Sequence, residues 1–99
     1  MNKIIITNTT VIDGSGSSPY KSDVLISGDR IANTGRIGIP DGALVIDGTG
    51  LVCCPGFIDV HTHSDISLVY CGDPSGHVLQ GVTSEVIGNC GYSPFPLKN

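Results

Sequence analysis

Residues 55–63, Pro-Gly-Phe-Ile-Asp-Val-His-Thr-His, hold the densest chemistry in this chain: an apolar run ending in two histidines one residue apart, His61 and His63. In an extended segment residues i and i+2 point to one face, with Cα atoms roughly 6.5–7 Å apart. Two neutral imidazoles so placed can converge on one ion, each nitrogen at about 2.0–2.1 Å if the ion is zinc. The run gives way to polar Ser64-Asp65, which puts the histidines at the C-terminal end of a predicted strand, where active sites collect in parallel α/β folds. Asp59 precedes His61 by two residues and shares its face. Its carboxylate is a candidate to hold the second nitrogen of a metal-bound imidazole; capping a loop or pairing with a basic residue are the alternatives. Asp65 reads as a carboxylate at a helix N-terminus rather than a ligand.

Cys90 is the other candidate. A cysteine between asparagine and glycine at a strand end is ordinarily structural, but beside a His-X-His pair at one sheet edge it becomes a candidate thiolate ligand, since zinc takes thiolate and imidazole alike. The surrounding pattern would bring the three residues together. Phe57 to His63 lacks apolar-polar alternation, which predicts a strand buried on both faces. Ile66–Tyr70 and Ser75–Gln80 have helical character, separated by Pro74, and Val82–Ile87 is a second β-branched run closing on Gly88-Asn89-Cys90-Gly91. Strand, helical crossover and strand form a βαβ unit with parallel neighbouring strands, so His61, His63 and Cys90 should emerge at the same end. His77 falls in the crossover and reads as a surface residue away from this cluster.

The first half must supply a different kind of element. Lys3–Thr7 and Thr10–Ile12 are β-branched runs, and a turn-rich loop follows over residues 13–19. Asp23–Ser27 and Arg30–Asn33 flank Gly28-Asp29, a two-residue link suited to a hairpin turn. After the turn Pro40-Asp41-Gly42, Ala43–Asp47 is a further strand. These segments predict part of a small antiparallel sheet or sandwich over residues 1–52, with the second part running over 53–99.

Composition narrows the function classes. Ninety-nine residues make one small domain with a modest core, and 14 glycines with 6 prolines favour turns and strands. Five basic residues against nine acidic ones give a net charge of −4 with no basic cluster, which argues against nucleic acid as a partner. The N-terminus has three consecutive isoleucines before polarity returns, too few for a signal segment or a membrane span. A cytoplasmic protein without a membrane partner is expected, and its four cysteines read as thiols. Cys53, Cys54 and Cys71 are expected to be small buried apolar residues. The proline-interrupted tail over 92–99 reads as a loop leaving the second strand, and as a cut rather than a natural end.

The His-X-His strand introduced by Pro55-Gly56-Phe57-Ile58-Asp59 is similar to the first barrel strand of the amidohydrolase superfamily, which includes dihydroorotases, hydantoinases, ureases and deaminases. Residues 80–93, Gln-Gly-Val-Thr-Ser-Glu-Val-Ile-Gly-Asn-Cys-Gly-Tyr-Ser, resemble the corresponding stretch of a narrower group, the N-acyl-D-amino-acid deacylase (D-aminoacylase) branch. In that branch a cysteine after the second strand is a metal ligand, where many relatives use a carboxylated lysine. The resemblance therefore implies a zinc centre of one or two ions, with His61 and His63 at the more exposed metal position and Cys90 at the tighter one. It also implies the architecture: a mixed β and α/β chain in which strands of a small β-sandwich precede the first βαβ unit of an incomplete TIM-type (β/α)8 barrel. The branch often carries an acidic residue where this chain has Ser64, so no role can rest on a carboxylate there.

The implied reaction is metal-assisted hydrolysis of a small N-acyl-D-amino acid to a D-amino acid and a carboxylate. A general base must move the proton of the attacking water, and no residue here reads as one. In the family the base is an aspartate that follows the eighth barrel strand, and further histidine ligands follow the fifth and sixth. A complete barrel takes about 250 residues, of which this chain would supply two strands. The expectation is an N-terminal segment of a longer enzyme, inactive alone and partnered by the rest of its own polypeptide. Two alternatives stand beside it. One is a cyclic-amide hydrolase of the hydantoinase or dihydroorotase type, which needs no cysteine at position 90. The other is a non-catalytic small β domain that binds a partner or stores metal.

Overall fold

In the computed structural model, which describes residues 2–92, strand Lys3–Val11 (β1) organises the first of two units, which divide between Pro55 and Gly56. β1 pairs antiparallel with Tyr20–Ser27 (β2), which pairs antiparallel with Arg30–Gly35 (β3). Leu44–Asp47 (β4) and Val52–Cys53 (β5) both pair with β1 in parallel. The sheet is therefore mixed, not antiparallel as expected. Its order β3-β2-β1-β4 explains why: the chain leaves β3 at one edge and must cross to the far side of β1, and a crossover delivers a parallel strand. The boundary expected between residues 52 and 53 falls inside β5, whose pairing with β1 keeps Val52 and Cys53 in the first unit.

Lys3–Thr7 and Thr10–Val11 belong to one strand rather than two, and Ile12 lies just past its end. Ile6 opposes Val24 and Thr9 opposes Ser22, so one extra residue is accommodated as a bulge. Asn8 takes φ 57 there, a left-handed conformation that asparagine tolerates better than most residues. Its N–H donates to Asp23 Oδ1 at 2.9 Å. Ile5, Val11 and Val24 form the small apolar core, with Thr9 buried among them. The Thr9 hydroxyl donates to the Leu51 carbonyl at 3.1 Å, which satisfies the buried polar group.

The second unit runs Phe57–Asp59 (β6), Ser64–Cys71 (α1), Ser75–Val78 (α2), Val82–Glu85 (β7) and a 3₁₀ turn at Asn89–Gly91. β6 and β7 are parallel, with Ile58 opposite Ser84 and Asp59 opposite Glu85. Gly56 enters this pair where no side chain fits: a Cβ there would lie 2.2 Å from Thr83. β6 is shorter than the predicted Phe57–His63, although pairing continues through Val86 N–H to the Asp59 carbonyl (2.8 Å) and Thr62 N–H to the Val86 carbonyl (3.3 Å).

Burial of that strand on both faces is not found. Phe57 and Ile58 are 58% and 63% exposed, because the described residues of this unit provide no second layer against the two-stranded sheet. The cysteines are free thiols as expected, but Cys54 and Cys71 are exposed and Cys53 only half-buried. For Cys71 the reason is local: it ends α1, which buries Ser64 alone. No helix among the described residues is long and apolar enough to cross a membrane. The loop expected over 93–99 lies outside the described residues.

Candidate metal centre

Thr62 and Ser64 are buried, at 7% and 5% exposure, whereas the alternating His61 and His63 are exposed. The segment leaving β6 thus turns its small polar residues inward and both imidazoles outward. Its bend has a local cause. The Asp59 carboxylate accepts the backbone N–H of His61 at 3.1 Å, the short-range turn that aspartate favours two residues before a free N–H. Of the roles open to Asp59, this contact is the loop-capping one. The Ser64 N–H then donates to Thr62 Oγ1 at 3.2 Å.

Cys90 reaches the same place from β7. It sits at φ 59, ψ 20, with Gly88 two residues earlier at φ 81. A left-handed non-glycine residue costs about 1–2 kcal/mol, a strain that is typically held in place by its surroundings at functional sites. Here the Asn89 side-chain amide donates to the Val86 carbonyl at 2.8 Å, and Tyr92 N–H donates to the Asn89 carbonyl at 3.0 Å.

The result is convergence. One ligand atom each from His61, His63 and Cys90 lies within 4.8 Å of the others. His61 Nε2 is 3.1 Å from Cys90 Sγ, and the two imidazole rings meet edge to face with centroids 5.7 Å apart. Two imidazole nitrogens and a thiolate suit zinc chemically, and three protein donors leave a position open to another ligand.

Other residues stand differently from expectation. His77 lies apart from the three donors as expected, but its Nδ1 pairs with one carboxylate oxygen of Glu85, and the other oxygen accepts the Ser64 hydroxyl. The Ser64 hydroxyl first, then His77, hold the Glu85 carboxyl below its ordinary range. The hydrogen bond and charge of Glu85 raise His77, with the charge of Asp59 adding to them. Glu85 was legible only as a charged residue inside a β-branched run, and its role was missed. So was Tyr92, whose ring centroid lies 5.8 Å from that of His63; nothing in the local sequence marked it. Asp65 stands in the first turn of α1 as expected, with both carboxylate oxygens buried and unpartnered among the described residues.

No family model matches the chain. Individual proteins do. D-aminoacylase of Alcaligenes xylosoxydans xylosoxydans is 42% identical over 96 residues, covering 97% of this chain and 20% of its own length. A solved D-aminoacylase with a binuclear metal centre superposes with a TM-score of 0.85 at 44% identity, covering 95% of this chain and 20% of that one. N-acyl-D-glutamate deacylase of Bordetella bronchiseptica, solved with zinc and a phosphonate inhibitor that mimics the tetrahedral intermediate, gives 0.82 at 39% identity over the same shares. The chain thus spans about a fifth of the length of the relatives it matches. Over nearly all of its own length it is a homologue of the N-acyl-D-amino-acid deacylases, the D-aminoacylase group of the amidohydrolases.

Proposed function

We propose that the complete polypeptide carrying these residues is a zinc-dependent hydrolase that cleaves N-acyl-D-amino acids into a D-amino acid and a carboxylate. The observation that carries this reading is the convergence of His61, His63 and Cys90 in a chain homologous to metal-bearing deacylases. His61 and His63 supply imidazole nitrogens and Cys90 a thiolate. Bound there, zinc would polarise an amide carbonyl and bring the pKa of water to about 7. The chain's own part is to hold the three donors in a fixed arrangement at one end of two parallel strands. Asp59 fixes the bend before His61, and the left-handed turn at Cys90 aims its sulfur at His61.

In this reading the strands of the first unit, up to Pro55, belong to a small β-sandwich, and the chain from Gly56 onward begins a (β/α)8 barrel. The exposed apolar side chains of β6 pack against later parts of that barrel. The general base and the remaining ligands also come from elsewhere in the polypeptide, so the 99 residues alone do not turn over substrate. The test is amine release from matched N-acetyl-D- and N-acetyl-L-amino acids by the zinc-loaded complete polypeptide. D-selective hydrolysis that a chelator abolishes is expected. Ring opening of hydantoin or dihydroorotate without D-amide hydrolysis would instead establish the cyclic-amide alternative.

A further inference from the structure

Resting on this metal-centre reading, we infer that Glu85 is a positioning residue, tying together the two segments that carry the metal donors. Its carboxylate is shared. One oxygen accepts the hydroxyl of Ser64, the residue next to His63, and the other pairs with His77 Nδ1 on α2. Glu85 itself ends β7, from which the chain runs through Gly88 to Cys90. One side chain therefore spans the turn after His63, the crossover helix and the strand that delivers the thiolate.

The surroundings support a built contact. Ser64 is 5% exposed, and Ser64, His77 and Glu85 line one cleft of about 370 Å³ whose wall includes none of the three donors. The contact thus acts from behind the histidine turn rather than at the ion. Glu85 is also the register partner of Asp59, whose carboxylate caps the bend before His61. Neighbouring carboxylates repel, and His77, whose protonated form Glu85 and Asp59 favour, offsets them when charged.

The same geometry accounts for serine at position 64. An aspartate there would set a carboxylate against Glu85. A hydroxyl donates to it instead. Serine at 64 and glutamate at 85 form a matched pair.

The experiment measures zinc affinity of the complete polypeptide by chelator competition, alongside its melting temperature. Glu85→Ala is expected to weaken zinc binding roughly tenfold, the lower end of losses seen when outer partners of metal ligands are removed. Glu85→Gln, which can still accept from Ser64, is expected to stay within about threefold of the parent. Ser64→Asp gives a second, independent arm: it should lose affinity similarly, and adding Glu85→Gln should restore it. General destabilisation does not produce that rescue. Unchanged affinity in Glu85→Ala, or a Ser64→Asp loss that Glu85→Gln fails to reverse, would overturn the inference while leaving the metal centre standing. A parent polypeptide that takes up no zinc would overturn both.

Discussion

His61 Nε2 and Cys90 Sγ lie 3.1 Å apart although 29 residues separate them in sequence. Parallel pairing of β6 with β7 creates the proximity, and the left-handed turn at Cys90 completes it. The predictions that follow test the elements on which this relationship depends.

Gly56→Ala should destabilise the βαβ unit, because the added methyl would lie 2.2 Å from Thr83. Overpacking of this kind costs roughly 1–3 kcal/mol. Urea denaturation of the complete polypeptide should show a lowered midpoint, partly recovered by Thr83→Ala. Equal midpoints for parent and Gly56→Ala would contradict the close approach of β6 and β7.

The bulge in β1 predicts a residue-specific response at position 8. Asn8→Gly should be nearly neutral, whereas Asn8→Val should cost about 1–2 kcal/mol, the penalty for a β-branched residue in a left-handed conformation. Thermal melts of both variants check this, and a valine variant as stable as the parent would rule the conformation out.

The His77–Glu85 pair predicts a pH window. Glu85 raises His77 above its ordinary 6.5, so that contribution is complete below 6.5 and fades as pH climbs through the raised value. Ser64 and His77 lower Glu85 below its ordinary 4.5, so that contribution is complete above 4.5 and fades as pH falls through the lowered value. Both are in place between pH 4.5 and 6.5. The melting-temperature gap between parent and His77→Gln should therefore be wider at pH 6 than well above neutrality. A gap that does not change with pH would refute the ion pair.

Much of the second unit was readable from residue types. Apolar and β-branched runs with their turn residues marked β6, the crossover and β7, and the parallel rule then carried His61, His63 and Cys90 to one end. The mixed sheet of the first unit was not readable, because nothing in Ala43–Asp47 distinguishes a strand added in parallel across β1 from one added antiparallel beside β3. Asn8 looked like a break between two strands, since a bulge and a turn draw on the same residue types. The Ser64–Glu85–His77 contacts were hidden for another reason. They join three elements, and no spacing along the chain encodes a contact between side chains whose approach depends on how those elements pack.

The central claim is that Cys90 and the two histidines hold one metal centre. Its most direct test is the near-ultraviolet thiolate-to-metal absorption of the cobalt-substituted complete polypeptide, compared with that of its Cys90→Ser variant. A band present in the parent and absent from the variant, with weakened metal retention, is the predicted result. Identical spectra and identical metal content in the two proteins would contradict it.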